Sequence, residues 1–314
     1  MKILIADKFP DTYIDELKKS DLDVEYSPKL GESDLQEAVK GHEVLVVRST
    51  KVNSNTINSS DKLKLIIRAG AGVNNIDIPV ASERSISVAN CPGKNSVAVA
   101  ELAIGLMVSL DRKIPDNVMD FKKGTWNKAE YSKAEGLKGK TLGVVGVGNI
   151  GREVAKRANA FDMKVYGYDI CRLEDVQLEY VDTIEDILPK CDVISLHLPA
   201  NEKTKGIFNK KLFGLMKPNS FLINTSRPSV IDEEALLEAV KEKNIRVALD
   251  VFNDEPEGKT GEVKSTLQDN PNIYITHHIG ASTNQAQNAV AEETVNIINE
   301  YVQSGKVKNC VNKK

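Results

Sequence analysis

The chain has 314 residues and a formal net charge of -3 at pH 7. This length exceeds what one core usually serves, so we expect two domains, and the mild charge gives no reason to expect nucleic acid. The longest apolar stretch, residues 97–110, is interrupted by Glu101 and too short for a membrane span. Four cysteines without C-x-x-C spacing suggest neither disulfides nor a metal site, and they favour a reducing compartment, the cytoplasm: Cys91, Cys171, Cys191 and Cys310.

Strands and helices alternate over the first 95 residues. Strands are predicted at 2–6, 24–26, 44–48, 63–68 and 86–89, and helices at 12–19 and 33–40. We place Ser33 at the cap of the second helix and His42 on the surface. Such alternation predicts a doubly wound parallel sheet, whose ligands gather at the carboxyl ends of strands.

Two long helices, predicted at residues 95–113 and 283–302, bracket a second series of strands. Its strands are predicted at 142–145, 163–168, 192–196, 220–224, 247–251 and 273–276. We therefore predict an α/β protein with two doubly wound parallel-sheet lobes. Residues 1–95 plus 284–314 form one domain, and residues 96–283 form a second domain inserted into it.

Residues 141–169 read as strand, glycine-rich turn, helix, strand and acid. The turn carries Gly146, Gly148 and Gly151, and Asp169 follows the second strand. This order predicts a dinucleotide site, because the glycines permit a tight turn, close approach of a pyrophosphate and close helix packing. Asp169 can bind both ribose hydroxyls and would repel a 2′-phosphate, so NAD is expected over NADP; the nearby Arg172 softens that preference. The inserted domain is thus predicted to be a Rossmann cofactor domain, and the outer one a flavodoxin-like substrate domain.

Three polar residues each follow a predicted strand of the inserted domain. They are Arg227, Glu255 and His278. Oxidation of a carbinol by hydride transfer requires a base, a carboxylate to orient it and a fixed positive charge for the substrate. These residues can fill the three roles, although His42, His197 and His277 compete with His278 for the first. Residue chemistry alone does not decide which of the four histidines is the base.

Several motifs resemble the D-isomer-specific 2-hydroxyacid dehydrogenase family over nearly the whole chain. They are GVGNIG with Asp169, HLP at 197–199, NTSR at 224–227, DVFNDEP at 250–256, HIGAST at 278–283, VRST at 47–50 and RAGAGVNNID at 68–77. The resemblance implies catalytic roles for Arg227, Glu255 and His278. It implies NAD contacts in the inserted domain, at Gly146, Gly148, Asn149, Ile150, Gly151, Asp169, Thr225, Ser226, Asp250 and Gly280.

The first 95 residues resemble most the members that act on 3-phospho-D-glycerate. This implies a substrate carboxylate at the backbone of Gly70, Gly72 and Val73, and a phosphate near Arg48 and Arg68. Lys128 is a further candidate from a neighbouring subunit. The implied function is oxidation of that phosphorylated 2-hydroxy acid by a homodimer. Alternatives are a hydroxypyruvate or glyoxylate reductase, another D-2-hydroxyacid dehydrogenase, or more remotely an NADH-sensing corepressor.

Two residues depart from the family pattern. Pro228 stands where glycine usually follows the catalytic arginine, and His277 stands where proline usually precedes the catalytic histidine. Proline is expected to push Arg227 towards extended backbone, and a second imidazole could perturb titration of His278. The chain also ends soon after the helix at 283–302, so we expect no serine-binding regulatory domain.

Overall fold

A computed structural model of the chain describes residues 1–256 and 260–312. The chain folds as two compact units. Residues 1–95 and the segment from Ser282 onward form the first unit, and Ser96–Ala281 forms the second.

The first unit is built on a five-stranded sheet with strand order β2-β1-β3-β4-β5, and every pair is parallel. Its strands are β1 (Lys2–Ile5), β2 (Asp23–Tyr26), β3 (Val44–Val47), β4 (Leu65–Arg68) and β5 (Ser87–Asn90). Its connecting helices are α1 (Asp11–Lys18), α2 (Glu32–Ala38), α3 (Ser54–Ser59) and α4 (Ile78–Glu83).

The second unit opens with three helices: α5 (Ser96–Arg112), α6 (Ile114–Lys122) and α7 (Lys128–Tyr131). Seven parallel strands follow: β6 (Thr141–Val145), β7 (Lys164–Tyr168), β8 (Glu179–Tyr180), β9 (Val193–Leu196), β10 (Phe221–Asn224), β11 (Arg246–Leu249) and β12 (Ile273–Ile275). Their order is β12-β11-β10-β9-β6-β7-β8. The intervening helices are α8 (Asn149–Ala160), α9 (Ile184–Ile187), α10 (Lys210–Leu215), a 3-10 turn (Pro228–Val230) and α11 (Glu233–Lys243).

A final helix, α12 (Asn284–Ser304), belongs to the first unit. Its buried face contributes Ala291, Val295 and Ile298 to the cluster that also contains Ile5 and Ile67. Beyond the helix, Val311 donates its N–H to the carbonyl of Val88 at 2.8 Å, which extends the sheet at its β5 edge.

Both sheets are covered on both faces. Their central strands are therefore apolar at successive positions rather than at alternate ones. The run VLVV of β3 and the run VISL of β9 are buried at every residue. Two hydrophobic clusters flank each sheet. The predicted α/β fold with two parallel-sheet lobes is therefore confirmed.

Three local predictions are corrected. Helix α2 begins at Glu32 with Gly31 as its N-cap, because Asp34, and not Ser33, accepts the Gly31 N–H at 2.9 Å. His42 is not on the surface: it is 2% exposed, with Nε2 at 3.3 Å from Glu25. The helix predicted at 95–113 ends at Arg112, because Lys113 adopts left-handed backbone with φ 48° and a new helix begins at Ile114, with Pro115 in its first turn.

Within residues 1–256 and 260–312, we find no helix with the length and apolar character needed to cross a bilayer.

Candidate active site

The glycine-rich turn after β6 is held by the two strands that flank β6. Gly146 has φ 94°, a left-handed conformation, and it donates its N–H to the carbonyl of Tyr168 at 2.8 Å. A Cβ at this position would lie 2.6 Å from the carbonyl oxygen of His197. Both the backbone angle and the available space therefore require glycine here.

Helix α8 leaves this turn with an open amino end. Gly148 is the N-cap, no described side chain caps the helix, and its first turn carries no acidic residue. A Cβ at Gly151 would collide with the carbonyl oxygen of Gly146, so glycine lets α8 begin close to β6. A Cβ at Gly148 would meet no described atom within 4 Å. The backbone N–H groups and the helix dipole therefore face open space, an arrangement that favours a phosphate.

Asp169, at the end of β7, is fixed above the turn. Its Oδ2 accepts the N–H of Val147 at 2.7 Å, and its Oδ1 accepts the N–H of Cys171 at 3.0 Å. Arg172 instead pairs with Asp182 at 2.5 Å and lies over the ring of Tyr180, 5.6 Å from its centroid. The charge at this end of the turn is thus the negative charge of Asp169, because the guanidinium of Arg172 is paired with Asp182.

Two buried polar atoms along the same sheet edge lack a hydrogen-bond partner among the described residues: Thr225 Oγ1 and His197 Nδ1. The other ring nitrogen of His197 lies 2.8 Å from Ser195 Oγ. Burial lowers the pKa of His197 to about 3, so this imidazole is neutral and a poor base near pH 7. Buried polar atoms of this kind are usually satisfied by a bound group or water.

His278 and Glu255 form a direct pair. Nδ1 of His278 lies 2.8 Å from Oε2 of Glu255, and Oε1 of Glu255 accepts the N–H of Phe252 at 3.0 Å. The hydrogen bond to Glu255 raises the pKa of His278 against the opposing effect of burial, and the charge of Asp250 adds to the rise. With Nδ1 held, Nε2 is the nitrogen left to exchange a proton with a ligand.

The backbone of His278 is left-handed, with φ 51°, which is uncommon for a residue with a side chain. Asp250 brackets it: Oδ1 accepts Thr276 Oγ1 at 2.6 Å and the N–H of Ile279 at 2.9 Å, and Oδ2 accepts the N–H of Gly280 at 2.8 Å. Asp250 is buried. The sequence implies Asp250 only as a cofactor contact, and the structure adds these hydrogen bonds to the histidine loop.

Arg227 follows β10, the neighbour of β11. Its backbone is extended, with φ -143° and ψ 144°, as the following Pro228 predicts. Pro228 opens the 3-10 turn, a position where its missing N–H is not needed, and Arg227's carbonyl accepts Asn224 Nδ2 at 2.9 Å. Burial lowers the pKa of Arg227 while the negative charge of Glu255 opposes that change. The guanidinium remains cationic near neutral pH.

Because β10, β11 and β12 are parallel neighbours, Arg227, Glu255 and His278 emerge at one edge of the sheet. The strand positions alone predicted this shared edge. The sequence offered no sign of the Asp250 hydrogen bonds beyond an acid directly after an apolar strand.

The residues expected to bind substrate lie in the first unit, after two neighbouring strands. Arg48 follows β3, and Arg68 ends β4. A Cβ at Gly70 would collide with the guanidinium of Arg68, so glycine lets this cation lie against the backbone of the loop. Asn90 Nδ2 holds that loop by donating to the carbonyl of Ala71 at 2.6 Å. The loop with Gly72 and Val73 thus sits beside a cation at the carboxyl end of this sheet.

The second unit has the architecture of an oxidoreductase built on a dinucleotide cofactor: an open helix end after a glycine turn, an acid at the next strand and a histidine–carboxylate pair. Known proteins narrow this class. Residues 104–280 match the family model described as D-isomer specific 2-hydroxyacid dehydrogenase, NAD binding domain. The chain belongs to this family, as its motifs predicted, and its cofactor is NAD.

Three relatives illustrate the match. The D-3-phosphoglycerate dehydrogenase of Methanocaldococcus jannaschii is 40% identical over 323 residues, covering 99% of this chain but 59% of that protein. The hydroxypyruvate reductase of Thermotoga maritima is 44% identical over 282 residues, covering 89% of this chain and 90% of that protein. An NAD+-bound 3-phosphoglycerate dehydrogenase of Entamoeba histolytica has a TM-score of 0.83 and 30% identity, covering 100% of this chain and 99% of its own. The chain thus spans about three fifths of its phosphoglycerate relative from M. jannaschii.

The residues of the second unit fit NAD. The open end of α8 suits the pyrophosphate, and Asp169 suits the ribose hydroxyls. The unpartnered Thr225 Oγ1 offers a hydrogen bond at the same edge. The paired Arg172 provides no unengaged cation for a 2′-phosphate.

Proposed function

We propose that this chain is an NAD-dependent dehydrogenase that oxidises 3-phospho-D-glycerate to 3-phosphohydroxypyruvate. The observation that carries the proposal is the His278–Glu255 pair, 2.8 Å apart, at the sheet edge that also bears the glycine turn. A histidine poised by a carboxylate is what abstraction of a carbinol proton requires. The relatives named phosphoglycerate dehydrogenase support the choice of substrate.

The proposed mechanism assigns one task to each side chain. NAD, when bound, supplies the acceptor for the hydride that leaves C2 of the substrate. Nε2 of neutral His278 accepts the hydroxyl proton as the C2–O bond becomes a carbonyl. Glu255 accepts the hydrogen bond from Nδ1–H and stabilises the imidazolium that results. Arg227 holds the substrate carboxylate and the carbonyl oxygen through its planar fork of donors.

The phosphate end of the substrate is assigned to the first unit. Arg48 and Arg68 follow neighbouring strands, and the backbone of Gly70–Val73 would receive the carboxylate. Anionic groups are recognised well by guanidinium donors because the hydrogen bonds are charge-assisted. This assignment predicts a preference for a phosphorylated acid.

A second candidate is reduction of hydroxypyruvate or glyoxylate. The hydroxypyruvate reductase of T. maritima favours it, because that protein is 44% identical and is matched over 90% of its length. The chemistry of His278, Glu255 and Arg227 would be the same in the reverse direction, and only the substrate would differ.

A panel of D-2-hydroxy acids with and without a 3-phosphate, assayed for NADH formation, separates the two candidates. We expect 3-phospho-D-glycerate to give the highest kcat/KM. We also expect Arg48→Ala to lower kcat/KM for that substrate about tenfold or more and to leave D-glycerate nearly unchanged. A higher kcat/KM for unphosphorylated D-glycerate, or for hydroxypyruvate in the reverse direction, would favour the second candidate.

We also propose that the chain forms a homodimer through its second unit. Helix α6 exposes apolar side chains at helical spacing, with Ile114 43%, Val118 47% and Phe121 70% exposed, and Trp126 just beyond is 80% exposed. Such a contiguous apolar face favours burial against another protein.

The four unpaired cysteines fit a reducing compartment such as the cytoplasm.

A further inference from the structure

Asp7 fills an anion-binding loop in the first unit. Its Oδ2 accepts three successive backbone N–H groups, those of Arg48 at 2.7 Å, Ser49 at 3.0 Å and Thr50 at 3.0 Å. Its Oδ1 accepts the hydroxyls of Ser49 at 3.2 Å and Thr50 at 3.1 Å. Successive N–H groups that converge on one oxygen form a nest, which proteins commonly use for phosphate. Here the protein's own carboxylate occupies it.

The buried carboxylate of Asp7 fixes the conformation of this loop. Asp7 follows β1, whose neighbour β3 leads into the loop, and it is 6% exposed. Burial raises its pKa, but the hydrogen bonds to residues 48–50 outweigh that effect and leave the pKa below its ordinary value. Asp7 is therefore an anion at neutral pH, and five donors fix it. The loop is held on its other side by Asn75, whose Nδ2 donates to the carbonyl of Thr50 at 2.8 Å.

The Asp7 nest leaves the side chain of Arg48 as a possible ligand-binding group of this loop. Its N–H is held by Asp7, yet throughout residues 1–256 and 260–312 its guanidinium forms no ion pair with a carboxylate. Because Asp7 already fills the nest, the backbone of this loop cannot bind a second anion. The side chain of Arg48 is then the loop's remaining donor for an anionic ligand.

We propose that Asp7 is a positioning residue, which holds the loop of residues 48–50 so that Arg48 can bind the anionic substituent of the substrate. This inference rests on the proposed dehydrogenase function, and it adds a residue that does not itself touch substrate.

The test is a set of variants assayed on the 2-hydroxy acid for which the wild-type protein has the highest kcat/KM. Asp7→Ala removes every contact to the loop. Asp7→Asn keeps one oxygen for the three N–H groups, and its amide can donate to the two hydroxyl oxygens. Asp61→Ala is the matched control, because Asp61 also accepts a backbone N–H, from Gly41 at 2.6 Å, at the opposite end of the same sheet. Ser49→Ala combined with Thr50→Val loosens the nest more gently and carries the test if Asp7→Ala does not fold.

We expect Asp7→Ala to raise the substrate KM about tenfold or more, as Arg48→Ala does, with little change in kcat or in NADH binding. Asp7→Asn and Asp61→Ala should stay within about threefold of the wild-type KM. In the Arg48→Ala background, Asp7→Ala should add no further increase, because the two residues act as one unit. The milder double variant should raise KM to an intermediate value, and only when Arg48 is present.

Additive effects of Asp7→Ala and Arg48→Ala, or a fall in kcat and NADH binding at constant KM, would overturn the inference and leave Asp7 a general stabilising residue. The panel of acids is read independently. If another 2-hydroxy acid proves the best substrate, the phosphoglycerate proposal fails, and the coupling between Asp7 and Arg48 is decided on that acid if Arg48→Ala raises its KM. If Arg48→Ala leaves the KM for that acid unchanged, the inference is overturned as well.

Discussion

At the scale of single residues, the proposed active site contains a histidine held in an unfavourable backbone conformation. His278 has φ 51°, and such a conformation persists only when its surroundings enforce it. Asp250 does so through the N–H groups of Ile279 and Gly280, and Glu255 fixes the ring through Nδ1. The imidazole is therefore oriented before any substrate arrives, which lowers the cost of reaching the reactive geometry.

Glu255→Gln tests this pair. The side chain keeps its shape but loses the charge that raises the pKa of His278. Oxidation needs neutral His278, so its rate rises with pH through the pKa of this residue. In the variant that rise should move to lower pH, and kcat should fall about 10²-fold or more because the imidazolium is less stabilised. The measurement is kcat/KM for oxidation as a function of pH; an unmoved rise would show that Glu255 does not control the base.

Asp169→Ala tests cofactor choice. Loss of the carboxylate would remove the proposed hydrogen bonds to the ribose hydroxyls and the repulsion of a 2′-phosphate. We expect the KM for NAD to rise about tenfold or more, and the ratio of kcat/KM for NAD over NADP to fall further. Asp182→Ala, which removes the partner of Arg172 instead, should leave the KM for NAD unchanged. Equal effects of the two substitutions would mean that Asp169 has no special contact with the ribose.

Residue chemistry predicted a histidine, a carboxylate and an arginine at one sheet edge, but it left the histidines undecided. The structure distinguishes three of them: desolvation lowers the pKa of half-buried His197 and keeps it neutral, His42 is buried beside Glu25, and His278 pairs with Glu255. The left-handed backbone of His278 was not predictable, because it depends on Asp250, 28 residues earlier in the chain. The nest around Asp7 escaped prediction for the same reason: its donors lie 41 to 43 residues away.

At the scale of elements, central parallel strands such as β3 and β9 were predictable because they are buried on both faces and appear as continuous apolar runs. The two-residue strand β8 was not, since so short a pairing leaves no pattern. The end of α5 was missed by a residue because the left-handed turn at Lys113 has no unambiguous signature. Pro228 behaved as its covalent geometry dictates, fixing extended backbone at Arg227 and opening the 3-10 turn.

Phe121→Asp tests the proposed dimer face on α6. Phe121 is 70% exposed, so the substitution should not unfold the second unit, but a charge in the centre of an apolar contact should disfavour association. We expect sedimentation velocity to show the wild type as a dimer and the variant as mainly monomer. Val302→Asp, at a 43% exposed position of α12 in the first unit, is the matched control and should remain dimeric. A dimer that survives Phe121→Asp would place the contact elsewhere.

At the scale of the whole molecule, the sequence predicted two parallel-sheet lobes, and the structure has two units, each built on one parallel sheet. The identity of the substrate was less accessible to sequence reasoning. The motifs of the second unit resemble those of the whole family, whereas the residues that we propose for substrate specificity are a few side chains of the first unit such as Arg48. Relatives named for phosphoglycerate and for hydroxypyruvate match this chain at similar identity, 40% and 44%.

The proposed role of His278 is tested most directly by NADH formation from 3-phospho-D-glycerate by the wild type and by His278→Ala, with NADH affinity measured on both proteins. We expect turnover by the wild type, a loss of about 10²-fold or more in kcat for His278→Ala, and an NADH affinity that is nearly unchanged. Turnover by His278→Ala close to the wild-type rate would contradict the role of this histidine as the base. Tight NADH binding by the wild type without turnover on any 2-hydroxy acid would contradict the proposal that the chain is a dehydrogenase.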